Sequence, residues 1–480
     1  MDGINTPATV EIPMLIDGQW VKGSETFDSI DPYRGDVVSK APMSSPKDVD
    51  AAIDAARRAA PKVAAMPAAE RARILRRVGE LIAERFDEIG IIMARETGKA
   101  VKDAKGEVKR SQDTIQLSAE EAIRIEGEHV PLDSSEMGNN KMAFMMRFPV
   151  GVVAAVTPFN APFNLACHKL APALAAGNSV VLKPPQQCPL VVHKLVEMFV
   201  DAGLPAGFIN VVYGGPDVGR QLVSDPRVDF ITFTGSSRAG AEIKKSTGLK
   251  RVALELGGNG PTIVCADADV AKIAPMLAVN STRLAGQSCI SVQNIYVHES
   301  LKDLLTEAVA KAMEKLKVGD PMDPETDIGT LVDEQAAIRV ENWIADAVAQ
   351  GARLVTGGKR DKAQMTPTLL ADVKPDMKVV CDEVFGPAAN IIGFTDIDEP
   401  IRRINESPYG LQCGVITDSN AIAMKVAREV RTGGVIINGT STWRTDQLAY
   451  GGVKDSGIGR EGPRYAMRDM TEQRLILFNL

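Results

Sequence analysis

Apolar residues recur along this chain with two different periods, and the change between them divides it. Ile74, Val78, Leu81, Ile82, Phe86 and Ile89 fall at helical spacing, while Arg73, Arg76, Arg77, Glu80 and Glu84 cover the other face, which predicts one amphipathic helix. Gly98 is placed to close it, and a further helix is expected over residues 101–125. Upstream, Ser45-Pro46 supplies an N-cap and a first-turn proline for an alanine-rich helix to about residue 60. Asp17-Gly18 supplies the turn of a short β-ribbon within residues 14–30.

From Gly151 the pattern changes to short β-branched or apolar runs, at 152–156, 179–182, 209–213, 228–233 and 252–256, alternating with helical segments at 165–176, 190–202 and 239–246. That alternation predicts a parallel sheet with helices on both faces, which binds ligands beyond the carboxyl ends of its strands. The loops at those ends are Thr157-Pro158-Phe159-Asn160, Lys183-Pro184-Pro185-Gln186, the run from Gly214 to Gly219, Phe233-Thr234-Gly235-Ser236 and Glu255-Leu256-Gly257-Gly258. They are rich in glycine, proline and polar residues that suit a nucleotide, although G-x-G-x-x-G is absent. A second α/β region follows Pro261, with strands at 262–264 and 295–297, helical runs at 270–284 and 304–316, and an end near Gly452. The tail run 473–478 is strand-like but isolated, and with residues 142–147 it is expected to form an arm that pairs with another subunit, because an exposed apolar strand edge invites pairing.

The expected fold is therefore α/β. Residues 1–126 and 150–256 form a Rossmann-like parallel-sheet cofactor domain, residues 257–452 a second α/β catalytic domain, and residues 127–149 and 466–480 a small β oligomerisation arm. At 480 residues the chain is too long for one core. A net charge of −7 argues against nucleic acid or an anionic membrane as the main partner. Six cysteines without a Cys-x-x-Cys suit a reducing cytosol, four histidines show no metal-ligand spacing, and no basic-then-apolar leader or long apolar span is evident. A cytoplasmic, unanchored protein without a bound metal is the expectation.

The chemistry centres on Arg283-Leu284-Ala285-Gly286-Gln287-Ser288-Cys289. Gly286 lets the chain break after a helical run, so that Cys289 stands on a loop where a thiolate can act as nucleophile. In order along the chain occur Thr157-Pro158-Phe159-Asn160, Lys183-Pro184, Phe233-Thr234-Gly235-Ser236, Glu255-Leu256-Gly257-Gly258, Gly286-Gln287-Ser288-Cys289, Glu383-Val384-Phe385-Gly386-Pro387 and Gly451-Gly452-Val453-Lys454. Together these resemble the NAD(P)-dependent aldehyde dehydrogenase superfamily over essentially the whole chain.

The resemblance implies that Cys289 adds to an aldehyde, that the Asn160 amide and the Cys289 backbone N–H steady the oxyanion, and that Glu255 activates the water that hydrolyses the thioester. Lys169 and Glu461 fall at positions that contact a cofactor ribose or relay protons. NAD or NADP is the implied cofactor. Thr157, Pro158, Phe159, Gly215, Gly219, Phe233 and Leu256 lie along its cleft, with Lys183 at the adenine ribose and Gly235 and Ser236 at the pyrophosphate. Glu383 is implied at the nicotinamide ribose with Phe385 beside it. Gln186 stands where many NAD-preferring members carry glutamate, so a 2′-phosphate meets less repulsion there and the choice of cofactor stays open. Arg110, His168, Arg283 and Arg444 fall at substrate-tunnel positions and suit a small anionic or hydroxylated aldehyde of the lactaldehyde, succinate-semialdehyde or glyceraldehyde-3-phosphate type. A homodimer or homotetramer is implied. Alternatives are a coenzyme A-acylating enzyme, which Glu255 disfavours, and a non-catalytic structural or binding protein of the same fold.

Overall fold

Ser45 starts the first long helix, Pro46–Ala65, through a reciprocal cap in which its hydroxyl accepts from Asp48 N while the Asp48 carboxylate accepts from Ser45 N. This is seen in the computed structural model of the protein, which describes residues 9–480. The chain start, where no leader is expected, lies outside the described residues. The amphipathic run expected as one helix is two, Ala68–Glu84 and Phe86–Thr97, broken at Arg85. The break redirects the second segment so that its end reaches the helix Pro189–Asp201, where the buried Glu96 carboxylate accepts from Leu190 N and Val191 N. Gly98 closes it in the left-handed region at φ 70°, as its position suggests. The next helix, Val101–Ala122, packs against both segments.

The strands Val152–Val156, Ser179–Lys183, Ile209–Val211, Phe230–Thr234 and Arg251–Glu255 pair in parallel, in the spatial order fifth, fourth, first, second, third. Successive connections run in opposite directions from the first strand, so a crevice opens at the carboxyl ends of Val152–Val156 and Phe230–Thr234. The ribbon Met14–Ile16 and Gln19–Val21 extends one edge of this sheet, antiparallel. At the other edge Gly457–Ile458 pairs antiparallel with Arg251–Glu255, opposing Gly457 to Glu255. That pairing brings the late part of the chain to the end of the Glu255 strand.

A second sheet of seven strands is centred on Pro261–Val264, Asn294–His298 and Gln412–Ile416, parallel except for the edge strand Arg353–Thr356. Each sheet carries apolar cores on its two faces. The tail strand Thr471–Asn479 pairs with Lys141–Pro149 of the same chain over nine residues, with Glu128–Val130 completing a three-stranded sheet. Leu475, Leu477 and Phe478 remain exposed on the tail strand, which forms one edge of that small sheet. None of the described helices is long and apolar enough to cross a membrane.

Candidate active site

Cys289 follows the helix Val270–Thr282 across a strained turn. The helical run expected to reach residue 284 stops at Thr282, because Leu284 (φ 57°), Ala285 (φ 52°) and Gly286 (φ 70°) take left-handed conformations in succession. The two non-glycine residues cost about 1–2 kcal/mol each there, so the surroundings must hold them. Gln287 does this: its Oε1 accepts from Val332 N at 2.9 Å, its Nε2 donates to Leu284 O at 3.2 Å, and its carbonyl accepts from Asn160 Nδ2 at 3.0 Å. Gly286 is dictated by space, since a Cβ there would stand 2.0 Å from the Gly386 carbonyl oxygen. Cys289 consequently sits half-buried on a loop, outside the hydrocarbon cores.

The two glycines after Glu255 have the same kind of explanation. A Cβ on Gly258 would lie 2.4 Å from the Cys289 carbonyl oxygen, and one on Gly257 would lie 2.5 Å from Glu383 Oε2. Their absence lets the Glu255 strand end, the Cys289 loop and Glu383 close on one another. Glu383 accepts from Gly258 N at 3.0 Å, and burial, offset partly by that bond and by Arg339, pushes its carboxyl up to about 7. Phe385 packs edge-on against Phe159, with ring centroids 5.9 Å apart.

Glu255 is buried, and Tyr450 joins it to Cys289: the phenol Oη donates to Glu255 Oε1 at 3.3 Å and lies 3.3 Å from Cys289 Sγ. Burial, and then the charge of Glu461, push the Glu255 carboxyl up to about 7 against the pull of Cys289, Arg444 and Lys169. Burial and the Glu255 carboxylate raise the Cys289 thiol well above its ordinary range. Behind Glu255, burial alone would raise Glu461, but Lys169 and Arg444 outweigh it and hold Glu461 strongly acidic. Lys169 Nζ reaches Glu461 Oε1 at 3.2 Å and donates to Thr234 Oγ1 at 2.7 Å, while Arg444 Nη2 donates to Glu461 Oε2 at 2.9 Å. Asn160 spends one amide hydrogen on Gln287 and keeps another. Among the described residues, no acceptor engages the Cys289 backbone N–H.

Two cavities flank this centre, and neither is lined by Cys289 or Glu255 themselves. One, of about 290 Å³, is lined by Arg110, Arg283, Arg444, Asn164, Asn280 and Thr442, and also by Ser288 and Ile290, which flank Cys289. Each arginine is held from behind by a carboxylate: Arg110 by Asp446 (2.6 Å), Arg283 by Asp103 (2.8 Å) and Arg444 by Glu461. Arg283 uses only its Nε on Asp103, its side chain is 57 % exposed, and the buried Nε of Arg444 has no partner. His168, expected in the tunnel, is not among the lining residues. The helix Pro162–Ala176 that carries it is buried along its whole length, and His168 Nε2 lies 3.2 Å from both Asp446 Oδ1 and Arg444 Nη2. It braces the arginines from within.

The other cavity, of about 650 Å³, lies in the crevice of the first sheet and is lined by Thr157, Pro158, Phe159, Lys183, Gln186, Gly219, Phe233 and Gly235 among others. Lys183 is buried there with only the Pro184 carbonyl at 3.4 Å, and burial pushes its ammonium down to about 8. Thr157 Oγ1 is buried without a partner. Gly215 adjoins the Gln186 amide, and Ser236 caps the helix Ser237–Ser246 at the cavity's rim by accepting from Ala239 N. Leu256 is buried against Gly240 on that helix. An unpaired buried cation, an orphaned hydroxyl and the starts of the helices Pro216–Ser224 and Ser237–Ser246 in one cleft fit a phosphate-bearing dinucleotide.

Tyr450 and Asp446 escape a reading of the sequence. Tyr450 lies 161 residues from Cys289, and its only sequence cue is that it precedes Gly451-Gly452-Val453-Lys454. Asp446 accepts from Arg110, Thr114 and His168 through contacts that span 278 residues or more.

A family model described as the aldehyde dehydrogenase family matches residues 20–476. The chain is 45% identical over 468 residues to the 3-sulfolactaldehyde dehydrogenase of Priestia aryabhattai, covering 97% of this chain and 98% of that protein. Its fold matches an aldehyde dehydrogenase of Physcomitrella patens in complex with the reaction product succinate, with TM-score 0.96, 38% identity and coverage of 98% and 99%. It matches equally well an NADP-dependent glyceraldehyde-3-phosphate dehydrogenase of Bacillus halodurans complexed with NADP, with TM-score 0.96, 37% identity and coverage of 98% and 100%. With its motifs, its sheet order and its full-length relatives in agreement, this chain belongs to the aldehyde dehydrogenase family.

Proposed function

We propose that this enzyme oxidises a short aldehyde with an anionic far end to the carboxylic acid, using NAD or NADP and a covalent intermediate on Cys289. The observation that carries the proposal is the meeting of Cys289 and Glu255 beside two cavities of different character, one suited to a dinucleotide and one lined by three braced arginines. The relatives named above act on or bind sulfolactaldehyde, succinate and glyceraldehyde 3-phosphate, which share a short chain ending in an anion. Arg283 is the leading anchor, because its terminal nitrogens are free while Asp103 fixes its orientation, and the unpartnered Arg444 Nε adds a donor nearer Tyr450.

The chain's own residues do the rest. Glu255, held near neutrality, takes the proton as Cys289 Sγ adds to the carbonyl carbon, and the second Asn160 amide hydrogen and the Cys289 N–H steady the oxygen. A dinucleotide bound in the cleft would supply the hydride acceptor needed to oxidise the thiohemiacetal on Cys289 to a thioester. Lys183 and Thr157 would meet its ribose and phosphate groups, and Glu383 would hold the second ribose. Once that first proton has left to solvent, Glu255 deprotonates water, whose attack on the thioester releases the acid, and Glu255 returns the water proton to the sulfur to restore the thiol. The division into a cofactor domain (1–126 and 150–256), a catalytic domain (257–452) and an arm (127–149 and 466–480), a homodimer or homotetramer, and a cytoplasmic setting belong to the same proposal. The exposed apolar residues of the tail strand support the oligomer.

A kinetic panel tests this reading. Sulfolactaldehyde, succinic semialdehyde, glyceraldehyde 3-phosphate, lactaldehyde and propanal should each be offered with NAD and with NADP. At least one anionic aldehyde should exceed propanal in kcat/KM by about 100-fold, the worth of one good charge-assisted anchor. Equal values across the panel would remove the anion reading, and no turnover of any aldehyde would remove the function.

A further inference from the structure

We propose that Tyr450 is a catalytic residue that relays the proton from the Cys289 thiol to Glu255 and then donates its hydroxyl hydrogen to the thiolate. The inference rests on the roles proposed for Cys289 and Glu255. The Tyr450 hydroxyl is buried, and among the described residues its contacts are Cys289 Sγ and Glu255 Oε1, each at 3.3 Å. Cys289 and Glu255 also act on each other directly, and the phenol is the group that lies within 3.3 Å of both. Phenylalanine would fill the same space, so packing gives no reason to bury a hydroxyl here, and burying one without partners is costly.

The ring is held for this task. Tyr450 and Glu461 exchange backbone hydrogen bonds in both directions, and the Arg444 guanidinium lies 3.7 Å from the ring centroid. The charged and titratable groups around the phenol are Glu255 at its strand end, Cys289 on its loop, Arg444 on the ring face and Glu461 across the bridge. Lys169 stands behind Glu461 on the helix Pro162–Ala176, and Glu383 lies beside the Cys289 loop. Before the step the thiol proton points to Oη and the phenol proton to Oε1. In the step the S–H bond breaks as a new O–H bond forms on Tyr450, and the old phenol proton moves to Glu255. The products are a thiolate that accepts from Tyr450 and a neutral Glu255, with the phenol unchanged in charge and no electrons exchanged.

Alkylation of Cys289 by iodoacetamide, followed by peptide mass spectrometry over a range of pH, reads the thiolate without any aldehyde. Tyr450→Phe should move the midpoint upward by about one pH unit or more and slow alkylation near neutrality about tenfold. Glu255→Gln, which removes the carboxylate charge that raises the thiol, should move the midpoint downward, so an upward shift in Tyr450→Phe reports the lost hydroxyl and not a general disturbance of the site. A Tyr450→Phe profile superimposed on the parent, or shifted downward, would overturn the relay. Buried Cys167 and Cys413 report folding, since they react only if the core opens. Should Tyr450→Phe unfold, 3-fluorotyrosine at position 450, nearly the same in shape but more acidic, must lower the midpoint, and an unchanged midpoint overturns the proposal. Failure of the parent enzyme to oxidise any aldehyde counts against the function instead, and is a separate result.

Discussion

Replacing Glu255 by glutamine should make the fold more stable while stopping turnover. The carboxyl is buried, and burial with the charge of Glu461 raises it from an ordinary 4.5 to about 7. Between those values the folded chain binds a proton that the unfolded chain releases, so stability falls as pH rises through this window and stays lower above about 7. At about 1.4 kcal/mol for each tenfold change in proton affinity, the cost at pH 8 is on the order of 3 kcal/mol. Glutamine keeps the shape and carries no charge. Allowing about 1 kcal/mol for the weaker bond to Tyr450, Glu255→Gln should exceed the parent by about 2 kcal/mol at pH 8, and this advantage should vanish near pH 4. Urea unfolding of both proteins from pH 4 to 8 reads the difference directly. In stopped flow the variant should give a slower burst of NAD(P)H of full amplitude, followed by stalled turnover, whereas the parent's steady state should rise with pH to a midpoint near 7. A variant less stable at pH 8, a difference independent of pH, or ordinary steady-state turnover would refute the assignment.

Cys289→Ala should abolish oxidation yet leave NAD(P)H binding intact by fluorescence titration; residual oxidation above background would move the nucleophile elsewhere. Arg283→Ala should raise KM for an anionic aldehyde about 10- to 100-fold and leave propanal unchanged, the expected loss of a charge-assisted pair; equal effects on both would show that Arg283 only braces Asp103. Gln186→Glu should lower kcat/KM with NADP about tenfold or more relative to NAD, because a carboxylate in that cleft repels a 2′-phosphate; an unchanged ratio would place the 2′ position away from Gln186. Gly286→Ala should cost activity and stability together, since its Cβ would stand 2.0 Å from Gly386 O, and normal kinetics in that variant would contradict the close approach.

Much of this arrangement is legible from local pattern. Strand runs such as 152–156 and 179–182 appear in the fold nearly as read, because β-branched residues between helices have few alternatives in a buried parallel sheet. Gly98 and Ser45 act as their positions suggest, because caps are local. The break at Arg85 leaves no mark on the apolar spacing, which continues through it, and it follows from where Glu96 must land. His168 looks like a tunnel residue by position, but its helix is enclosed on every side, which only the packing of distant segments decides. The arm shows the same limit: the tail run and residues 142–147 are recognisable as strands, while their pairing within one chain is a matter of tertiary arrangement.

The centre itself depends on two carboxylates in opposite states. Glu255 and Glu461 are close enough to repel, so both cannot be ionised cheaply in a buried site, and the flanking groups decide which one is. Lys169 and Arg444 both bond to Glu461, which therefore stays ionised, whereas Glu255 bonds only to the uncharged Tyr450 phenol and Cys289 thiol and is left to rise toward neutrality. A base near 7 can accept a proton from sulfur and later from water and return it each time, which a carboxylate at 4.5 would do poorly. Arg444 thus has two duties in one position. It lines the cavity that would take the substrate's anion, and by fixing the charge of Glu461 and lying over the Tyr450 ring it keeps the acid–base pair in register with the sulfur. The same side chain thus borders the candidate substrate cavity and steadies the acid–base pair, and its partners Tyr450 and Glu461, 6 and 17 positions further along the chain, reach Glu255 because the tail returns along the Glu255 strand.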